Sequence, residues 1–415
     1  MSIVGIGEEG IDGLGELARG LIESAEIVFG GSRHLALAAP LIRGTARAWG
    51  KPFDESAAEV LAHRGRPVCV LASGDPFQHG IGSVLARHVA PEETIAVPAV
   101  SAFSLAASRL LWPLPQTTLL SLCGRSLDFI RPHLQPGARI LALTSGATAP
   151  AAIAELLCTA GFGESHITVL EALGGPRERV RSTRAAAFNF DLIAALNTVA
   201  IEVMANATAR IVSRAAGRAD ELFEHDGQIT KREIRAVTLS ALAPGRGEHL
   251  WDVGAGSGSV AIEWLLADPS LSALAIERRS DRAARIRRNA AAFGVPDLQV
   301  LEADAPQALE GLKPPDAVFI GGGAATPGMI ETVQAALRPN GRLVINAVTL
   351  ETEALLLNAH AQHGGALLRM EIHRASPIGG VAYERADARA GGGEVARSLS
   401  WRPAMPITQW SWVKA

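Results

Sequence analysis

Short apolar runs at 2–7, 27–30, 67–73, 94–97, 139–144, 166–170 and 198–203 read as strands. Between them, apolar residues return at helical spacing over 16–24, 83–88, 103–110 and 150–160. The alternation continues further on. Helices are predicted over 229–243, 281–293 and 326–337, and strands at 250–253, 273–277, 298–301, 316–320 and 342–348. Strands alternating with helices predict an α/β protein with mainly parallel sheets. A polar, Arg-rich stretch of weak periodicity, about 205–224, reads as a linker between domains 1–205 and 206–415. The five strand–helix units after it predict a doubly wound, Rossmann-like sheet with its ligand at the strand carboxyl ends. The tail beyond residue 386 is rich in Gly, Arg and Trp. Its Gly391–Gly393 run reads as mobile, whereas Trp401, Trp410 and Trp412 suggest that the last segment packs back.

A chain of 415 residues accommodates two or three domains. Its 39 Lys and Arg stand against 42 Asp and Glu, so no basic stripe marks a nucleic-acid partner. No apolar stretch approaches the roughly 20 residues of a membrane-spanning helix. The N-terminus opens directly on a strand-like run without a signal peptide, so a cytoplasmic protein with no membrane association is expected. Cys69, Cys123 and Cys158 are isolated in apolar runs without metal or redox spacing, which predicts buried free thiols and no metal.

The densest chemical signal is Leu-Trp-Asp-Val-Gly-Ala-Gly-Ser-Gly-Ser-Val-Ala-Ile-Glu at 250–263: a strand, a glycine turn and a helix start. Gly254, Gly256 and Gly258 let the backbone turn tightly and approach a ligand without a Cβ in the way. The spacing is G-x-G-x-G; the dinucleotide fingerprint would need a glycine at 259, where this chain has Ser. Glu277, at the tip of the next strand, can accept both hydroxyls of a ribose. Asp252, at the tip of the first, can hold an ammonium group. A ribose acceptor, an ammonium acceptor and no phosphate cradle suit S-adenosylmethionine better than NAD. The plain alternative is a glycine-rich turn in an unrelated α/β domain.

Taken together, these stretches resemble the fused, decarboxylating precorrin methyltransferases of aerobic cobalamin synthesis (the CobL type). The resemblance rests on Val4-Gly-Ile-Gly7, Ser73-Gly-Asp-Pro76, Pro98-Ala-Val-Ser-Ala-Phe103, Glu171-Ala-Leu-Gly-Gly-Pro176, Glu224-His-Asp-Gly-Gln-Ile-Thr-Lys231, the run 251–260, Phe319-Ile-Gly-Gly-Gly323 and Trp401-Arg-Pro-Ala-Met-Pro406. The first half resembles a CbiE-like tetrapyrrole methylase, whose fold is two α/β subdomains. The second half resembles a CbiT-like class I methyltransferase. The resemblance implies methylation of precorrin-6B at carbons 5 and 15 and decarboxylation of the carbon-12 acetate, giving precorrin-8. It also implies one S-adenosylmethionine per half, leaving as S-adenosylhomocysteine.

By the same resemblance, the second-half cofactor contacts fall on Thr230, Gly254, Ala255, Gly256, Ser257, Gly258, Glu277 and Ala305, with Asp304 beside the adenine. Gly74, Asp75, Phe77, Ser101 and Ala102 match the first-half cofactor loops. Lys231 and Arg232 adjoin Thr230 and are candidates for gripping substrate carboxylates, a solvated helix face being the alternative. One departure stands out. Many tetrapyrrole methylases carry Gly-Pro-Gly-Asp after the first strand, where this chain has Glu8-Glu9-Gly10, leaving Glu8 or Asp12 to replace that carboxylate. No catalytic residue is assigned otherwise. A homo-oligomer is implied, with the apolar stretch 110–122 as candidate interface. Two other functions stay open: a methyltransferase for another small molecule or RNA, and a cofactor-binding regulator with one dead site.

Overall fold

The computed structural model describes residues 1–50, 53–377 and 399–415, with backbone alone at 53–57 and at 377. It divides into two compact units, Met1–Ile211 and Val212–Ala415. The Gly391–Gly393 run lies outside the described residues.

The first unit holds two five-stranded sheets. One comprises β1 (Ser2–Ile6), β2 (Ile27–Gly30), β3 (Thr45–Ala48), β4 (Val68–Ser73) and β5 (Ile95–Val97), in the order β3-β2-β4-β1-β5, parallel throughout. Every residue of β1 is buried, as expected where helices cover both faces of a parallel sheet. The other comprises β6 (Thr117–Ser121), β7 (Arg139–Leu143), β8 (His166–Glu171), β9 (Arg179–Arg184) and β10 (Asn197–Glu202), in the order β6-β7-β10-β8-β9. Here only β6 and β7 run parallel. The expectation of mainly parallel sheets therefore fails for this sheet. Residues 172–178 form a hairpin connection between β8 and β9, far shorter than the dozen or more residues a parallel crossover needs.

The second unit is built on a seven-stranded sheet. Its strands are β11 (His249–Val253), β12 (Ser272–Glu277), β13 (Gln299–Glu302), β14 (Ala317–Ile320), β15 (Arg342–Ala347), β16 (Ala366–Met370) and β19 (Ile407–Val413). The order is β13-β12-β11-β14-β15-β19-β16. β11 to β15 are parallel, and β19 enters antiparallel between β15 and β16. Alternate strand residues feed opposite layers. Leu250, Ala275 and Phe319 join one core, while Trp251, Ile276 and Val318 join the other. This is the doubly wound arrangement. Between β16 and β19 the chain also forms a hairpin of β17 (His373–Pro377) and β18 (Leu399–Pro403). Trp410 packs into the core at 0% exposure, whereas Trp401 on the hairpin is 69% exposed.

Several expectations need correction. The stretch 205–224 is packed: Ala205 and Ala209 lie against the first unit's core, and Val212 and Phe223 are buried in the second. The helix expected over 229–243 spans Arg232–Leu242, which leaves Thr230 and Lys231 in the loop before it. Cys69 is buried, but Cys123 and Cys158 are exposed.

The second unit's internal charge explains why 205–224 folds. Glu263, on the helix Ser259–Leu265 that follows the glycine turn, is fully buried with Arg235 and Arg218. Its carboxylate accepts from Arg235 Nε at 2.7 Å and from the backbone N–H groups of Gly217 and Arg218 at 2.8 and 2.9 Å. Arg235 in turn donates to the carbonyls of Thr230 and Arg218 and to Asp220. Removing the central anion leaves buried Arg218 without its carboxylate partner and Arg235 with Asp220 alone. Glu263→Ala should therefore destabilise the second unit by about 3–5 kcal/mol. Urea unfolding followed by fluorescence of its buried Trp251, Trp264 and Trp410 reads this directly, and a loss below about 1 kcal/mol would contradict it.

Candidate functional site

Each unit carries a cavity. In the first unit it lies at the carboxyl ends of β1 and β4, with residues of the second sheet forming the far wall. Gly74, Asp75, Ser101 and Ala102 line it. The Ser101 hydroxyl caps the helix Ala102–Leu110 by accepting from Ser104 N–H at 3.2 Å. The Asp75 carboxylate accepts the Phe77 N–H at 2.8 Å, which fixes the turn. Phe77 itself is about half exposed and does not line the cavity, so it departs from the expected set. Of the two carboxylates weighed as replacements, Glu8 lines the cavity and Asp12 is exposed elsewhere.

In the second unit the cavity sits over the glycine turn. Thr230, Lys231, Gly254, Ala255 and Gly256 line it, with Asn346, Arg374 and Met405 on other walls. All three turn glycines have positive φ. Their surroundings differ. A Cβ at Gly258 would meet Ile286 at 2.7 Å, so this position serves close packing. A Cβ at Gly256 would meet nothing closer than 3.6 Å, so this one borders open space.

Glu277 and Asp252 lie just behind the turn. The Glu277 carboxylate accepts from Gly256 N–H at 2.9 Å and Arg279 N–H at 3.0 Å, one bond per oxygen. Each oxygen therefore keeps a lone pair. Asp252 is 1% exposed. Its Oδ2 accepts from Ala261 N–H at 3.0 Å, while Oδ1 is buried without a partner. Burial pushes the Asp252 carboxyl up to about 7, and the nearby Glu277 charge adds to the rise. A buried acceptor left single is costly, and a small cation beside it would relieve that cost.

Asp304 and Ala305 follow β13, the former exposed and the latter half-buried. Ser257 and Gly258 are buried within the turn, and Arg232 is exposed outside the cavity wall. Asn289 was not anticipated. Its side chain bonds the N–H and C=O of Glu224 at 2.8 and 2.9 Å and the Ser257 carbonyl at 2.9 Å. It thus ties the loop carrying Thr230 to the glycine turn. A polar residue one turn from the buried Ile286 and Phe293 was the available signal. Among the described residues, no group of three or more His, Cys, Asp or Glu is placed to hold a metal, and no helix is long and apolar enough to cross a membrane.

Residues 1–189 match the family model described as tetrapyrrole (corrin/porphyrin) methylases, and residues 221–414 match a precorrin methyltransferase domain. A Sinorhizobium protein named precorrin-6Y C(5,15)-methyltransferase [decarboxylating] is 55% identical over 414 residues, covering 100% of this chain and 96% of its own. The chain belongs to that family. A Mycobacterium tuberculosis protein of the same name is 38% identical over 417 residues, covering 99% of each chain. A Salmonella typhimurium protein named cobalt-precorrin-6B C(15)-methyltransferase (decarboxylating) is 36% identical over 171 residues, or 40% of this chain and 88% of its own. The family's members are S-adenosylmethionine-dependent methyltransferases.

The Asp252 environment has a measurable consequence. Between about pH 4 and 7 the folded chain keeps the Asp252 proton that the unfolded chain has lost. Its contribution to stability is present at the acid end of that window and is lost as pH rises through about 7. The stability of Asp252→Asn relative to the native chain should accordingly rise between pH 5 and pH 7.5, measured as the difference in urea midpoints. A difference independent of pH would contradict the assignment.

Proposed function

We propose that each unit binds one S-adenosylmethionine and that the two together methylate a precorrin at carbons 5 and 15, the second unit also removing the carbon-12 acetate carboxylate. The observation that carries this reading is the full-length match to a decarboxylating C(5,15)-methyltransferase in a chain whose two units each carry a cavity at strand carboxyl ends. The short relative named for C(15) methylation and decarboxylation supports assigning both steps to one half. The chemistry asks little of the protein beyond alignment. A sulfonium methyl is already activated, so attack by an electron-rich macrocycle carbon needs in-line geometry and a dry pocket. Decarboxylation needs an electron sink, which the conjugated macrocycle itself provides.

The second unit's residues take distinct tasks in this reading. The free lone pairs of Glu277 accept the ribose hydroxyls, and Asp252 Oδ1 accepts the ammonium group. Thr230, the turn Gly254 to Gly258, Asp304 and Ala305 frame the remainder. Lys231, on the cavity wall, meets substrate carboxylates, with Arg232 beside it at the rim. In the first unit, Gly74, Asp75, Ser101 and Ala102 hold the cofactor. A cytoplasmic homo-oligomer completes the proposal, the exposed Leu111 before β6 supporting an interface there.

Incubating the full chain with precorrin-6B and methyl-labelled S-adenosylmethionine tests the function. Two labelled methyls at carbons 5 and 15, with loss of one carbon dioxide, are expected by mass and carbon NMR analysis. A doubly methylated product retaining every carboxylate would refute the decarboxylase assignment. Separately, Glu277→Ala should weaken S-adenosylhomocysteine binding at the second site by about 1.5–3 kcal/mol, as for a lost charge-assisted hydrogen bond. Calorimetry showing unchanged affinity would remove Glu277 from the site.

A further inference from the structure

Glu8, Arg33 and Ser73 line the first cavity, and His34 bonds to two of them. Glu8 follows β1, Arg33 and His34 lie in the helix Ser32–Ala38 just after β2, and Ser73 ends β4. Their positions are brought together because β4 pairs with both β1 and β2. The Arg33 guanidinium donates through Nη1 to the Glu8 carboxylate. Through Nη2 it reaches Ser73 Oγ at 2.8 Å and His34 Nε2 at 2.8 Å. The Ser73 hydroxyl also meets His34 Nε2, at 2.7 Å. Burial, reinforced by the Arg33 charge, pushes the His34 imidazole down to about 4. The ring is therefore neutral near pH 7 and Nε2 can accept.

These partners fix the plane of the guanidinium without exhausting it. Arginine has five N–H donors, and Nε–H and one Nη1–H remain. Arg33, Glu8 and Ser73 all line the cavity beside Gly74. The cation is the more accessible partner, at 35% exposure against 9% for the Glu8 side chain. A second guanidinium, Arg177, lies 3.9 Å from the other Glu8 oxygen and is 84% exposed. Two cations thus share the Glu8 anion, and the Asp75 carboxylate also lines the cavity. Arg33 borders the cavity with N–H groups unused, and a planar donor fork of that kind is the arrangement that takes a carboxylate.

We propose that Arg33 receives a side-chain carboxylate of the tetrapyrrole in the first cavity, with Glu8, Ser73 and His34 holding its plane and Arg177 adding charge at the rim. Glu8 is then a positioning residue. The proposal rests on the reading that the first unit methylates carbon 5.

The test uses the full chain with precorrin-6B and labelled S-adenosylmethionine, following methyl incorporation at carbons 5 and 15 separately against precorrin concentration. Arg33→Gln should raise KM for carbon-5 methylation about tenfold or more, with kcat within about threefold. Carbon-15 methylation and the number of S-adenosylhomocysteine molecules bound per chain should not change. Arg33→Lys should give an intermediate KM, because it restores the charge but not the fork. An unchanged carbon-5 KM in both variants overturns the proposal, as does loss of cofactor binding with the KM intact. An effect confined to carbon 15 overturns the division of labour on which it rests. Should Arg33→Gln fail to fold, shown by a lost cofactor equivalent, Arg33→Lys decides alone: a KM raised about threefold or more supports the proposal, and an unchanged one refutes it.

Discussion

The second unit depends on a single buried anion. Glu263 sits four residues beyond the start of the helix that the glycine turn launches, and it gathers two guanidinium groups and two backbone N–H groups. Such a charge is tolerable inside a protein only when its partners are complete. The consequence is architectural. Residues 217–220 must fold against the unit, and the Arg232–Leu242 helix must present Arg235 inward. Arg235 then holds the Thr230 carbonyl. Asn289 secures the other end of the same loop against Ser257. The segment facing the cavity is thus held at both ends by buried polar groups, while the cavity walls stay free for ligands.

The cavities of the two units are built differently. In the second, the cavity lies at the carboxyl edge of one doubly wound sheet, with the buried acids Asp252 and Glu277 at the tips of two of its strands. In the first, the cavity lies between a parallel and a mostly antiparallel sheet, lined by short loops and a capped helix. Its charged side chains Glu8, Arg33 and Asp75 follow β1, β2 and β4, and β4 pairs with the other two. Two sites of separate construction in one chain suit two methyl transfers to one macrocycle.

What was legible in the sequence follows from which constraints leave a local mark. The turn at 254–258 was legible because positive φ and close packing demand glycine. Strands β1, β4 and β14 were legible because burial on both faces makes them almost continuously apolar, and β11 because the glycine turn follows it. β9 was not, since Arg179-Val-Arg-Ser-Thr-Arg184 is a polar edge strand whose Arg179 pairs with Glu171 on β8. β19 was hidden in a tail, because insertion between β15 and β16 is a tertiary event with no local signature. Glu263 escaped notice for the same reason: its partners lie 28 and 45 residues away. The Arg-rich stretch before it read as solvated linker, although Arg218 is one of the most buried charges in the unit.

The central claim is that one chain holds two independent cofactor sites. Titration of S-adenosylhomocysteine into the full chain, with the native protein beside a Gly256→Arg variant, tests it most directly. Gly256 borders open space, so an arginine there fills the second cavity. The account predicts two equivalents bound by the native chain and one by the variant. A single equivalent in the native chain, or none in a folded variant, would contradict it.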